Sequence, residues 1–281
     1  MRKLIVLIAA LLAAPAHANV RHAEGIGYYI GLDTRTAVVG GAYNGQPNPN
    51  RGRLTFLYDH GNHYHSIGAY SLTGPATLPT VIDTNTNNQI PETYTGEAPL
   101  PLTPGTGLYA GTLRNAIGAS EYSFLGIAST HSLAGFAPGT LGNTLYNSSA
   151  GRWTGSLAGV EVGLQLISYT VGLNVGSATD MNLFDTRDTI SLGDGATLEF
   201  RPVFWVDDAA AMGTYTAGFR LVNLSDGSPV MDSGRFYVNF APVPEPGTWA
   251  MLGVGLVLTG AALRRSRGRE VRAGGNQDGS A

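Results

Sequence analysis

Between residues 19 and 242 no apolar repeat of 3.6 residues lasts long enough to make an ordinary helix; short alternating runs recur instead. Residues 53–59 carry Leu54, Phe56 and Tyr58 at every second position, which puts them on one face of a strand. Further strand-like runs cover residues 28–32, 63–72, 108–113, 122–128, 155–162, 164–175, 197–206, 214–224 and 234–240. Thr, Tyr and Val recur in them, and 39 glycines punctuate a chain with only 13% charged residues. This predicts an all-β, β-sandwich-like domain. Pro202 inside an alternating run marks an edge strand or a bulge. Residues 73–107, polar and proline-rich, read as one long loop. There is no cysteine, so the domain must hold together by its core and any metal site must use nitrogen and oxygen donors.

Both ends of the chain differ from this pattern. Arg2 and Lys3 precede an apolar stretch at 4–12, and Ala16-His17-Ala18 forms a small-x-small site. Residues 1–18 therefore read as a secretory signal peptide, leaving residues 19–242 as the exported domain. At the other end stands Val243-Pro244-Glu245-Pro246-Gly247-Thr248, then an apolar run to Leu263, then Arg264, Arg265, Arg267 and Arg269. As a helix, residues 248–263 would reach roughly 24 Å at 1.5 Å per residue. A bilayer core is about 30 Å thick, so the segment makes a poor permanent span and suits a transient one; an ordinary C-terminal anchor is the alternative. The arginines favour a cytoplasmic end.

The order of a Pro244-Glu245-Pro246 triplet, a hydrophobic transmembrane helix and an arginine-rich end resembles the PEP-CTERM sorting signal, here residues 243–269, with residues 270–281 as a disordered tail. The resemblance implies passage through the secretion machinery, a transient inner-membrane intermediate and processing by an exosortase-type sorting enzyme. Its destination is the cell surface or extracellular matrix of a Gram-negative bacterium.

With the ends set aside, residues 19–242 keep ten of the 17 basic residues and 17 of the 20 acidic ones, a net charge of −7 with no lysine. Nucleic-acid binding, which needs a basic surface, is disfavoured.

Three of the six histidines fall in Asp59-His60-Gly61-Asn62-His63-Tyr64-His65. In a strand His63 and His65 share a face. Gly61-Asn62 between two alternating runs signals a two-residue hairpin turn. That register pairs His60 with His63, Tyr58 with His65 and Phe56 with Ile67, and it gathers His60, His63 and His65 at one end of a face based on Leu54, Phe56, Ile67 and Ala69. Three neutral imidazoles suit Zn²⁺, with water or a carboxylate as fourth ligand. Asp59 falls on the opposite face; His131, His22, Asp83 and Glu92 stand as candidates to complete the shell. A polar strand end whose rings bond to backbone is the plainer alternative.

Other chemistry is weaker. Asp207-Asp208 and Asp185 with Asp188 lack the spacing of a Ca²⁺ loop and suit turns. Neither a Gly-x-Ser-x-Gly elbow nor a phosphate-binding Gly-x-x-x-x-Gly-Lys loop occurs. Trp153 and Trp205 suit either core packing or stacking on sugars.

Asn48-Pro49-Asn50 with Arg53-Leu54-Thr55-Phe56-Leu57-Tyr58, Asn62-His63-Tyr64-His65-Ser66-Ile67-Gly68, Ile90-Pro91-Glu92-Thr93-Tyr94, Gly151-Arg152-Trp153-Thr154-Gly155-Ser156-Leu157-Ala158-Gly159 and Pro202-Val203-Phe204-Trp205 are similar to a PEP-CTERM family named for repression by the zinc uptake regulator. The resemblance implies expression under zinc scarcity, and His63 and His65 carry over to it. The expected protein is a non-enzymatic, zinc-binding surface protein serving zinc acquisition or buffering. The alternatives are a structural or adhesive matrix protein that binds exopolysaccharide, and a zinc-dependent hydrolase.

Overall fold

The computed structural model describes residues 25–243. The expected signal peptide, the Pro244-Glu245-Pro246 triplet, the expected hydrophobic helix at 248–263 and the expected tail lie outside the described residues, as does His22. Among the described residues no helix is long and apolar enough to cross a membrane.

Sixteen strands are described: β1 (Ile26–Leu32), β2 (Leu54–Asp59), β3 (Tyr64–Ile67), β4 (Ser71–Thr73), β5 (Thr80–Ile82), β6 (Gln89–Ile90), β7 (Leu100–Pro104) and β8 (Thr112–Asn115) in the first half. The second half holds β9 (Gly126–Ser129), β10 (Glu161–Tyr169), β11 (Asn174–Gly176), β12 (Thr189–Asp194), β13 (Glu199–Phe200), β14 (Val203–Asp207), β15 (Tyr215–Asn223) and β16 (Phe236–Pro242). A five-stranded sheet runs β13-β9-β1-β2-β3. A nine-stranded sheet runs β11-β14-β8-β7-β16-β15-β10-β12, with β6 on β16, and β4 pairs with β5 separately. The domain is thus mostly β and sandwich-like.

The two sheets share one core because alternate residues of each face the other. Tyr28, Ile30, Leu54, Phe56 and Tyr58 of the small sheet join Val162, Phe219, Phe236 and Phe240 of the large one. Phe56 stacks on Phe236 with ring centroids 4.3 Å apart, which ties β2 to β16. Emptying such a position costs about 3–5 kcal/mol. The outer face of the small sheet is not wet: Tyr29, Leu57 and Tyr64 pack under Leu133, Trp153 and Leu145. Leu145 comes from a short helix, α1 (Leu141–Tyr146), whose first turn is capped by the Thr140 hydroxyl accepting from the Asn143 N–H at 3.3 Å. Covered on both sides, β2 is buried along its whole length.

Several expectations change. The run at 63–72 breaks at Gly68, whose φ of +66° and close approach to β16 exclude a side chain. A Cβ there would sit 2.6 Å from the Arg235 carbonyl oxygen. The expected long loop holds β5, β6 and β7, and β7 lies inside the large sheet even though two of its five residues are proline. Pro202 stands where the chain leaves β13, on the edge of the small sheet, for β14 of the large one. β12 and α1 escaped detection: β12 is an edge strand with little buried alternation, and α1 is too short to show a period. Trp153 and Trp205 are buried at 2% and 8% exposure, so both belong to the core rather than to a sugar platform.

Asp33 is wholly buried beside β1, where its carboxylate accepts from both the Nε (2.9 Å) and Nη2 of Arg152 and from the Asn48 amide (3.0 Å). The Arg152 guanidinium also lies over the Trp153 ring at 4.1 Å. This network joins the segments around Asn48 and Arg152, which are far apart in the chain.

Candidate metal centre

The centre begins with a turn. Gly61, at φ +91°, adopts a backbone that favours glycine, and its N–H donates to the Asp59 carboxylate at 2.7 Å. The His60 N–H then donates to the His63 carbonyl at 3.0 Å, and the strands pair Asp59 with Tyr64, Tyr58 with His65 and Phe56 with Ile67. The two-residue hairpin and its register are therefore as the sequence predicts. Asp59 lies on the face opposite the histidines; burial pushes its carboxyl up to about 6, opposed by the Gly61 N–H.

One ring nitrogen from each of His60, His63 and His65 lies within 4.8 Å of the others. The ring centroids of His60 and His65 are 4.6 Å apart and nearly parallel, and both rings stand edge-on to Tyr58 at 6.1 Å. Nε2 of His63 and Nε2 of His65 are 3.0 Å apart. Two ligands about 2.0–2.1 Å from one tetrahedral zinc are separated by about 3.3 Å, so this pair already has nearly the spacing of a shared ion. His60 is exposed, with its ring stacked on that of His65.

The other ring nitrogens decide what the Nε2 atoms carry. Nδ1 of His65 donates to the Glu92 carboxylate, 2.8 and 3.0 Å from its two oxygens. Nδ1 of His63 faces the Asn62 amide oxygen at 2.6 Å. With hydrogens on both Nδ1 atoms, both neutral Nε2 atoms are bare acceptors, and two lone pairs meet at 3.0 Å. A cation between them removes that repulsion. Burial and then the neighbouring His65 and His60 hold the His63 imidazole below its ordinary range, against the weaker pull of Glu92.

Glu92 is the anchor of the site. It follows β6, and the 3-10 turn Thr93–Thr95 fixes its backbone through the Thr95 N–H and hydroxyl at 3.1 and 2.7 Å. Its carboxylate is buried and also accepts from the Asn87 amide, the Tyr122 hydroxyl (2.9 Å) and the Tyr94 hydroxyl (3.1 Å). Burial alone would raise this carboxyl, but the bonds from His65, Asn87 and Tyr122 bring it below its ordinary value. A charged Glu92 fixes the tautomer of His65 and makes its Nε2 a stronger donor, as carboxylates behind metal-bound histidines do. Tyr122 in turn stacks on Tyr58 at 4.6 Å, so the anchor rests on the core.

The remaining ligand candidates separate cleanly. Among the described residues no acidic side chain joins the three histidines. Glu92 sits behind His65, on its Nδ1 rather than beside its Nε2. Asp83 pairs with Arg235 at 2.7 Å. His131 lies in a 3-10 turn against Tyr146, apart from the cluster. Asn87 and Tyr122 carry no signal in the sequence, because nothing local to them points at a histidine, and Tyr94 stands out only as part of the Ile90–Tyr94 resemblance.

The domain is thus a sandwich-like β fold presenting a three-histidine cluster able to ligate a metal ion. The PEP-CTERM protein-sorting motif matches residues 242–267, so the chain carries that sorting signal at the place the sequence indicates. Such motifs are recognised by exosortases, which supports a sorting-enzyme partner and an exported, surface-associated protein. No curated protein matches the chain.

Proposed function

We propose that the protein is exported under the signal peptide at residues 1–18, sorted by an exosortase-type enzyme through Pro244, Glu245 and Pro246, and displayed at the surface of a Gram-negative cell. There it binds Zn²⁺ through His60, His63 and His65 and serves zinc acquisition or buffering under zinc limitation. In this reading residues 19–242 are the working domain, residues 243–269 are the sorting signal that crosses the inner membrane transiently, and residues 270–281 are a tail.

The observation that carries the zinc reading is the pair of Nε2 atoms 3.0 Å apart, on rings whose Nδ1 atoms each face an oxygen. An acidic, cysteine-free domain outside the cell has imidazole as its best zinc donor. The resemblance to the family repressed by the zinc uptake regulator supplies the physiological part. We read the centre as binding rather than hydrolytic, because Glu92, the carboxylate bonded to His65, is occupied by four donor side chains and is not poised as a base, and Asp59 lies on the opposite face of the hairpin.

The test is a titration of chelator-stripped, untagged protein with Zn²⁺, beside a His63→Ala/His65→Ala double variant. One tightly held ion in the wild type and none in the variant is the expected result. Equal weak uptake by both would end the zinc reading. Transcript induction on zinc starvation tests the physiological role separately.

A further inference from the structure

Residues 131–151, which cover the outer face of the small sheet, form a lobe closed at its neck. The Thr130 hydroxyl donates to the Trp153 carbonyl at 3.0 Å, and a Cβ on Gly31 of β1 would sit 3.1 Å from both residues, so the neck is packed hard against the sheet. The Arg152–Asp33 ion pair holds it there. Inside the lobe the chain bonds to itself. The Asn143 amide donates to the Phe136 carbonyl at 3.2 Å, and the Asn147 N–H to the Asn143 carbonyl at 3.1 Å. Beyond the neck, one hydrogen bond among the described residues ties the lobe to the rest of the domain: exposed Arg35 Nη2 donates to the Ser149 carbonyl at 3.0 Å. The lobe otherwise rests on apolar contact, with Leu133 and Leu145 meeting Tyr29, Leu57 and Tyr64 in a cluster separate from the main core.

Two features oppose this closed position. Ser149 (φ 55°, ψ 33°) and Ala150 (φ 57°, ψ 43°) are both left-handed, just before the neck, and neither is glycine. In that conformation the Cβ of an L-residue crowds the following carbonyl oxygen. Closure also buries polar atoms that have no partner among the described residues: His131 Nδ1, Ser148 Oγ and Trp153 Nε1 on the covering segment, and the Tyr64 hydroxyl beneath it. Each would recover hydrogen bonds from water on opening.

We propose that residues 131–151 are a lid that swings open as one unit about the neck at Thr130 and Trp153 while both sheets stay folded. Opening exchanges the apolar contacts on Tyr29, Leu57 and Tyr64 for a relaxed backbone at Ser149 and Ala150 and for hydrated polar groups. Bonds kept within the lobe, pinned ends and an opposed closure are what make a segment open separately from the core. The inference is independent of the zinc reading.

Hydrogen exchange of the metal-free, untagged protein tests it. The bonded amides of Thr144, Asn147 and Gly151 should share one opening equilibrium and exchange at least about tenfold faster than those of β1 and β2. Ala150→Gly, which accepts the left-handed backbone, should slow lobe exchange about fivefold, the low end of the cost of an L-residue there, and leave β1 and β2 unchanged. The sign is diagnostic, because a lobe that merely frays would exchange faster with glycine in it. Should the variant not fold, the wild type in low denaturant decides: the lobe amides must merge into one isotherm below global unfolding. Lobe amides as slow as those of β1 and β2, unrelated rates within the lobe, or exchange unchanged or faster in Ala150→Gly would overturn the proposal.

Discussion

His65 donates its Nδ1 hydrogen to Glu92, 27 residues further along the chain, at 2.8 Å, and so turns its Nε2 toward His63. That bond sets the tautomer and ring orientation of His65, while Nδ1 of His63 faces the Asn62 amide oxygen. The third, His60, rides on the turn, its backbone held by the His63 carbonyl and its ring stacked on His65 with no described hydrogen bond to fix its tautomer.

That division predicts a graded effect of removing ligands. His63→Ala and His65→Ala should each weaken Zn²⁺ binding by more than the 10–100-fold typical of lost outer partners. His60→Ala should cost less than either, because its ring must move to join the ion. Competition with a chromophoric chelator measures all three; a His60 variant worse than the other two would contradict the preset pair.

Glu92→Gln should weaken zinc binding about 10–100-fold, the usual cost of losing the carboxylate behind a metal-bound histidine. The replacement keeps the side chain's shape, so zinc affinity should fall further than stability. Glu92→Ala is different in kind. It strands buried donors on Asn87 and Tyr122, each costing about 1–3 kcal/mol, and should lower the melting temperature of the metal-free protein as well. Parallel melting and zinc titrations separate the two outcomes.

Zinc affinity should fall as pH drops, because each imidazole must lose its proton to bind. The depressed His63 stays neutral to lower pH than an ordinary imidazole, so its own share of the loss sets in below the ordinary imidazole range. For the metal-free fold the same depression has a definite sign. The unfolded chain binds the proton more readily, so this contribution to stability is whole above the ordinary imidazole value of 6.5 and is lost as pH falls through the depressed one. Zinc dissociation constants and melting temperatures taken from pH 8 to 5 check both statements.

Arg152→Met should destabilise the domain by about 3–5 kcal/mol, since it leaves the fully buried Asp33 without its cation. For a domain of this size that is roughly 6–20 °C in melting temperature. An Asp33→Asn/Arg152→Met double variant should recover part of the loss, and thermal unfolding of the four proteins closes the cycle. A double variant no more stable than Arg152→Met would show that the cost lies in packing on Trp153.

What could be read without the fold was what the backbone decides locally. Alternation places Leu54, Phe56 and Tyr58 on one side of β2, a two-residue turn with glycine first sets the register from Phe56–Ile67 to Tyr58–His65, and strand period puts His63 and His65 together. The sorting motif is equally local and is read as a contiguous string. Only tertiary structure decided the rest. Glu92 was legible as a nearby acid but not as the partner of Nδ1, and Tyr122 lay beyond any local rule. Both reach the site because separate elements, β6 and the turn before β9, are brought over the hairpin by the sheets they border. The strands that sequence missed fail for the same reason: β7 with its prolines and β12 with its exposed edge owe their form to neighbours, not to their own pattern. The sequence by itself determined that three imidazoles converge. The packing of distant elements decided which nitrogen of His65 is turned toward His63.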